Sequence, residues 1–382
     1  MPYSFPMAKF DLDPAKVAAL RGRLLAWYAA HARDLPWRRR TDPYAIWVSE
    51  IMLQQTRVAV VVDRYQKFME RFPTPVALAL APEQEVLALW SGLGYYRRAR
   101  MLHRAAQYVA QNHGGNLPLR AEELRLLPGI GAYTAAAVAS IAHGEPLAVV
   151  DGNVERVLCR LAGWELGSRK GGGAALRRKI EKLAGRLLDP ARPGDWNQAM
   201  MELGATLCAP RNPQCPQCPL VDHCKTRGEH KTPPRAPMIS REVAYALSVR
   251  NGTEDRNEPS WREVLLEQRP AEQSVMPGMW ELPGLLRPEV PPKDLRMTVR
   301  HAIMQVNYYV RIRNVFEDDV EELTVEGGER RWVPLREAAE MALTGLARKV
   351  LARARLLPSP LRDSLTPAAQ DEAKEEAARP SG

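Results

Sequence analysis

Two carboxylates in this chain sit where a carboxylate needs a chemical reason. Glu50 lies in the run Ile46-Trp47-Val48-Ser49-Glu50-Ile51-Met52-Leu53. On a helix, its neighbours at minus four, minus three and plus three are Ile46, Trp47 and Leu53. A carboxyl on such an apolar face loses water, its pKa rises, and it can donate a proton near neutral pH. The bland alternative is a boundary glutamate that reaches water. Asp151, in Val149-Val150-Asp151-Gly152-Asn153-Val154, is a lone acid close behind a glycine-rich turn. It suits the N-cap of a following helix, and it can also offset positive charge that develops on a substrate. Asn153 is placed to hold that carboxylate.

The turn itself reads Leu127-Pro128-Gly129-Ile130-Gly131-Ala132-Tyr133-Thr134. It separates a helical pattern over 121–127 from a small-residue helix over about 132–143. Glycines there let another backbone come close. The free N–H groups at the start of the second helix suit a phosphate. A second constellation is sulfur. Cys208, Cys215, Cys218 and Cys224 are spaced C-x6-C-x2-C-x5-C among four prolines. Four thiolates in so short a loop can hold a [4Fe–4S] cluster or a tetrahedral zinc. Zinc sites usually pair two knuckles, and only Cys215-x-x-Cys218 has that form, so the spacing favours iron–sulfur. Cys159, beside Leu158 and Leu161, reads as a small core residue.

These residues need a scaffold, and the pattern supplies helices. Apolar stripes predict them over 14–31, from 43 after an Asp42 N-cap, over 58–71, 76–80, 83–90 and 99–112, then 152–162, 174–188 and 195–207. The loops between carry basic and aromatic groups. Leu35-Pro36-Trp37-Arg38-Arg39-Arg40 and Gly92-Leu93-Gly94-Tyr95-Tyr96-Arg97-Arg98 could each meet a phosphate backbone or a base. Gln54-Gln55-Thr56 offers uncharged hydrogen-bonding groups suited to base edges. A basic, Pro-rich linker over 229–240 follows the cysteines. The period then changes: 243–250, 261–268 and 297–316 alternate as strands, a Pro/Gly turn spans 276–284, and a helix is predicted over 335–356. Residues 358–382 are poor in large apolar side chains and are expected to be disordered.

The chain has 382 residues, a hydrophobic fraction of 45% and a formal net charge of +9. The length calls for two or three domains, and the charge favours a polyanionic partner. No apolar run is long enough to span a membrane, and no secretory signal is apparent. Reduced, clustered cysteines fit the cytoplasm.

Taken in order, the glycine-rich turn, Val150-Asp151-Gly152-Asn153-Val154 and the cysteine spacing resemble the helix-hairpin-helix DNA glycosylase superfamily. Trp47-Val48-Ser49-Glu50-Ile51-Met52-Leu53-Gln54-Gln55-Thr56 and Gly92-Leu93-Gly94-Tyr95-Tyr96 look like its MutY-type adenine-specific branch. The resemblance is strong over about 20–228 and weaker over 240–357, where the family carries a Nudix-like domain. It implies a mainly α catalytic domain (1–228, iron–sulfur loop 208–224), the linker, an α+β Nudix-like lesion-recognition domain (241–357) and the tail. It implies a monomeric base-excision repair enzyme that flips and hydrolyses adenine opposite 8-oxoguanine or guanine in double-stranded DNA, in the bacterial cytoplasm with the nucleoid. Glu50 would protonate the adenine at N7. Asp151 would stabilise the oxocarbenium-like sugar or attack it transiently, the two-carboxylate logic of glycoside hydrolysis.

The same resemblance assigns Gln55 and Tyr95 to the duplex near the lesion, and Arg38 and Gln198 to the flipped adenine. It assigns the turn glycines Gly129 and Gly131 to the DNA strand. Tyr133 stands where endonuclease III-type relatives carry a Schiff-base lysine; a phenol cannot form that adduct, so base removal alone is expected, leaving an abasic site. One departure stands out. After Arg300-His301 the family shows a Phe-Ser-His loop that reads 8-oxoguanine; here Ile303, Met304 and Gln305 occupy it. Met304 and Gln305 are thus the base-recognition candidates of the second domain, and they motivate a competing reading: a mismatch glycosylase with other base choice. A non-catalytic damage binder is the third reading, and it would have no use for the pair Glu50 and Asp151.

Overall fold

The computed structural model describes residues 13–165, 173–230, 237–251, 262–325 and 327–357, and several of its helices begin where the sequence supplies a side-chain cap. The helices are α1 (Pro14–His31), α2 (Pro43–Leu53), α3 (Val58–Arg71), α4 (Pro75–Leu80), α5 (Glu83–Leu89), α6 (Arg97–Asn112), α7 (Ala121–Leu124), α8 (Ala132–His143), α9 (Gly152–Ala162), α10 (Gly173–Leu187), α11 (Pro193–Thr206), α12 (Val320–Leu323), α13 (Leu335–Glu340) and α14 (Gly345–Arg353). Asp13, Asp42 and Asp151 each accept backbone N–H bonds at the starts of α1, α2 and α9. Pro14 and Pro43 sit in the first turn, where their missing N–H is no loss.

The chain divides into two units, 1–80 with 101–235 and 81–100 with 236–382. Residues 81–100, sequence-contiguous with the helical region, cluster with the second unit. The first unit is helical. Leu20 and Leu24 of α1, Leu158 and Leu161 of α9, Leu183 and Leu187 of α10, and Trp196 and Leu203 of α11 form one buried core. Each such side chain contributes about 1.5–3 kcal/mol when taken from water. Two glycines let α11 approach its neighbours. A Cβ on Gly194 would lie 2.8 Å from the Ser140 carbonyl oxygen of α8. A Cβ on Gly204 would lie 2.6 Å from Cβ of Asn153 in α9.

The second unit is mixed. Strands β1 (Ile239–Leu247), β2 (Val249–Asn251), β3 (Arg262–Gln268), β4 (Trp280–Glu281), β5 (Leu295–Ile303), β6 (Val306–Asn314) and β7 (Arg330–Pro334) form two sheets. One has the order β1-β6-β5, with β1 parallel and β5 antiparallel to β6. The other joins β2, β3 and β4, with β7 also antiparallel on β3. Val264, Leu266, Val310, Ile312, Val333 and Val350 fill the core.

Several expectations are corrected here. The helix predicted over 335–356 is two helices, because Leu343 bridges to Trp280 and Thr344 caps α14 through its hydroxyl. The strand over 243–250 begins earlier and is interrupted at Ser248, and the long strand over 297–316 is a hairpin turning at Met304 and Gln305. The 276–284 turn contains a short strand. The helical pattern over 121–127 stops at Leu124. The loop at 35–40 contains a 3-10 turn, Pro36–Arg39, that buries Trp37. Trp261, residues 231–236 of the 229–240 linker and the 358–382 tail lie outside the described residues.

Candidate active site

The first unit encloses a cavity of about 880 Å³. Its lining includes Arg38, Glu50, Gln54, Gln55, Thr56, Tyr133, Asp151, Asn153 and Gln198. Residues from four separate helices and two loops therefore converge. The small side chains of α8 make this possible: Ala135, Ala137 and Ala139 are fully buried, so α2 and α11 can pack close to α8.

Glu50 projects from α2 and is almost wholly buried. Burial pushes its carboxyl up to about 7, a hydrogen bond from Tyr133 pulls it down, and the Asp151 charge raises it again. The Tyr133 hydroxyl, from the first turn of α8, donates to Glu50 Oε2 at 2.9 Å and lies 3.5 Å from Met201 Sδ. Burial and the two carboxylates hold the Tyr133 phenol well above its ordinary value, so it stays protonated. The glutamate is thus a half-protonated acid near neutral pH, oriented by a fixed donor.

Asp151 caps α9. Its Oδ1 accepts from Val154 N at 2.7 Å and its Oδ2 from Asn153 Nδ2 at 3.1 Å. Asn153 is itself oriented: its Oδ1 accepts from the Arg156 guanidinium at 2.9 Å. Arg156 also donates to Gly204 O at 2.6 Å and, through Nε, to Cys208 O at 2.8 Å. The carboxylate is therefore tied, through one amide and one guanidinium, to the first cysteine of the sulfur loop.

Arg38 is braced from behind. Its Nη2 donates to Glu202 Oε2 at 2.8 Å, and its Nη1 to Arg33 O at 3.1 Å. Arg33 donates to both Glu202 oxygens at 2.7 Å. Burial would raise the Glu202 carboxyl, but the hydrogen bonds from Arg33 and Arg38 outweigh it and hold it at about 2. Glu202, Arg33 and Arg156 were not singled out from the sequence. Glu202 carried the same signal as Glu50, an acid on an apolar helix between Met201 and Leu203, four residues after Gln198.

Among the uncharged candidates, Gln54 donates to Thr134 Oγ1 at 3.3 Å, and Thr56 donates to the Gln54 carbonyl at 3.3 Å. Gln55 is exposed with φ of +56°, a left-handed conformation that a non-glycine residue adopts at some cost. At the turn, Gly129 has φ of +76°, and a Cβ there would lie 2.5 Å from Met101 Cβ. Gly131 is the N-cap of α8 and offers no side chain to its first N–H groups, which stay open to a ligand.

Tyr95, Met304 and Gln305 belong to the second unit. Tyr95 is half exposed with φ of +49°, and the Arg98 guanidinium lies 5.6 Å from its ring centre. Arg98 also donates to the carbonyls of Leu93 and Gly94, at 2.9 and 3.1 Å. Met304, 76% exposed with φ of +53°, forms the tip of the β5–β6 turn.

Cys208, Cys218 and Cys224 pack against the core of the first unit, and Cys215 opens a 3-10 turn beside them. Burial pushes the Cys218 thiol up to about 11, and charge on the other three cysteines would raise it further. Four sulfurs brought together in one short loop suit a shared cationic centre. Arg160 donates to Cys208 Sγ at 3.3 Å and to the Ala209 and Pro210 carbonyls at 2.7 and 3.0 Å. Among the described residues, no three His, Cys, Asp or Glu side chains are drawn in to metal-ligand geometry. The chemistry of the donor set fits a cluster, and none of the four sulfurs is tied up in a disulfide.

With this geometry in hand, comparison with known proteins is informative. The model of the "HhH-GPD superfamily base excision DNA repair protein" matches residues 48–182. The chain is 50% identical over 224 residues to the adenine DNA glycosylase of Homo sapiens, covering 56% of this chain and 40% of the human protein. It is 38% identical over 306 residues to that of Arabidopsis thaliana (70% and 47%), and 42% identical over 205 residues to that of Mycobacterium tuberculosis (53% and 66%). The chain thus spans less than half the length of the human and plant relatives. A thermostable thymine-DNA glycosylase structure superposes with a TM-score of 0.49 at 29% identity, covering 56% of this chain and 97% of that one.

Proposed function

Because this chain belongs to the helix-hairpin-helix superfamily of base-excision DNA repair proteins, in its MutY-type branch, we propose that it is an adenine DNA glycosylase. Its substrate is adenine mispaired with 8-oxoguanine or guanine in double-stranded DNA. The observation that carries the reading is the cavity that holds Glu50, under Tyr133, together with Asp151.

Adenine leaves slowly unless protonated. Glu50, poised near 7, supplies that proton to the flipped base. As the glycosidic bond breaks, the sugar becomes oxocarbenium-like, and Asp151 faces it, by charge or by transient attack. Asn153 and Arg156 fix that carboxylate. Arg38, held by Glu202, and Gln198 offer donors and acceptors to the base. Water completes the hydrolysis and leaves an abasic site. Tyr133 has no amine with which to form a Schiff base, so strand cleavage is not part of the reaction.

Cys208, Cys215, Cys218 and Cys224 would hold a [4Fe–4S] cluster, whose contribution when bound is to fold the loop rather than to move electrons. Arg211, Lys225 and Arg227 would then meet phosphate. We read the mixed second unit as Nudix-like, with Met304 and Gln305 at the lesion, and the protein as a nucleoid-associated, cytoplasmic monomer. Single-turnover cleavage of duplexes with A opposite 8-oxoguanine, A opposite G and T opposite G tests this. Product from the first two is expected; no product from A opposite 8-oxoguanine overturns the reading.

A further inference from the structure

The second unit has a cavity of its own, of about 280 Å³. One face of the β1-β6-β5 sheet forms its floor. Val243 and Tyr245 of β1, Tyr308 of β6 and His301 of β5 share that face, since Val243 pairs with Val310 and His301 with Tyr308. Arg269, residues 273–276, Glu281 and Leu346 also line the cavity.

Ligand pockets are mostly apolar, with a few placed polar groups. This one contains a buried carboxyl and a guanidinium. Glu281 is 4% exposed. Its Oε1 accepts from Leu282 N at 3.0 Å and its Oε2 from the Thr344 hydroxyl at 2.5 Å. Each oxygen keeps one further acceptor site, so the carboxyl can still take two parallel N–H donors. Burial pushes Glu281 up to about 7, and Arg269 is near enough to pull it back. Arg269 uses its Nε on the Val275 carbonyl, at 3.1 Å, which leaves its terminal N–H groups to donate elsewhere. The Tyr245 and Tyr308 hydroxyls bond nothing among the described residues.

The cavity therefore offers two acceptors beside one donor, between aromatic walls, in a space sized for one small ligand. We propose that it binds a single guanine base, Glu281 accepting from the ring N–H and the adjacent amino group, Arg269 donating to the carbonyl, and Tyr245 and Tyr308 walling the ring. Adenine presents a donor beside an acceptor on the matching edge and would set a lone pair against the carboxylate. Cytosine likewise lacks the two adjacent donors. A site with buried polar groups rejects ligands that leave them unpaired.

Calorimetric titration of the full chain with guanosine, adenosine and cytidine monophosphates tests this. Guanosine monophosphate should saturate, with the other two weaker by roughly tenfold or more. Glu281→Gln exchanges one acceptor for a donor and should weaken it by about the same factor. Tyr308→Leu leaves the carboxyl in place and keeps an apolar wall, and it should weaken binding several-fold; melting curves verify that both variants fold. Displacement of the nucleotide by a guanine-containing but not a guanine-free single strand extends the pocket to a base presented by DNA. Displacement by neither strand restricts it to the free nucleotide, and both results uphold a guanine site. No saturation at millimolar nucleotide, equal affinity for adenosine monophosphate, or unchanged binding in both variants overturns it.

Discussion

At the scale of single residues, the site is built from groups kept away from their comfortable states. Glu50 is the clearest case. If it acts as the acid, excision requires its protonated form, so the rate should be full below about 7 and fall as pH rises through that value. A pH–rate profile checks this, and a rate that climbs through the same range would assign the proton elsewhere. The same burial affects stability. The folded pKa lies above the unfolded one, so the folded state holds the extra proton between them, and stability falls as pH rises from about 4.5 to about 7. Glu50→Gln removes that penalty. It should abolish excision, keep DNA binding, and raise stability at pH 8 by about 3 kcal/mol, with little gain near pH 4. Denaturant melts at the two pH values decide it. Asp151→Asn should likewise remove excision and spare binding; a wild-type rate in either variant would overturn the roles given to the pair.

At the scale of elements, the glycines of α11 matter more than their size suggests. Gly204 sits against Asn153, the amide that holds Asp151. Gly204→Ala would place a methyl 2.6 Å from the Asn153 Cβ, so α9 and α11 must part. That overpacking should cost about 1–3 kcal/mol, and the displaced Asn153 should lower the single-turnover rate far more than it lowers DNA affinity. Equal losses in rate and affinity would mean simple unfolding. Arg156→Ala approaches the same carboxylate from the other side. It strands the Gly204 carbonyl, leaves the Cys208 carbonyl to Arg160 alone and frees Asn153 to turn. A slower excision step is expected, together with a stability loss of about 1–3 kcal/mol. Glu202 belongs to this scale too, since its carboxylate fastens α11 to the loop of Arg33 and Arg38.

At the scale of the whole molecule, the net charge of +9 suits the polyanionic partner that the proposed function requires. Binding to an undamaged duplex should weaken steeply and linearly on a log–log plot against salt, as phosphate contacts release counterions. A flat salt response would remove the polyanion reading. Iron and sulfide analysis should return about four irons per chain; stoichiometric zinc would replace the cluster with a tetrahedral site.

The sequence alone determined the identity of the chemical groups and most of the helices that carry them. Caps at Asp42 and Asp151, apolar periodicity, and the cysteine spacing are local signals, and local energies set them. Glu50 could be read as a raised acid because its helical neighbours, all within one turn, already dictate its burial. The tertiary structure decided the rest. It brought Tyr133 onto Glu50, passed Asp151 through Asn153 and Arg156 to Cys208, and bound Arg33 and Arg38 to Glu202. It also broke the helix predicted over 335–356, where a strand pairing at Leu343 and a hydroxyl cap at Thr344 outweighed the helical pattern. The Tyr133–Glu50, Arg156–Cys208, Glu202 and Trp280–Leu343 contacts rest on partners distant in the chain, and in the helical unit their meeting depends on how closely glycine and alanine let helices pack. No local pattern encodes that distance.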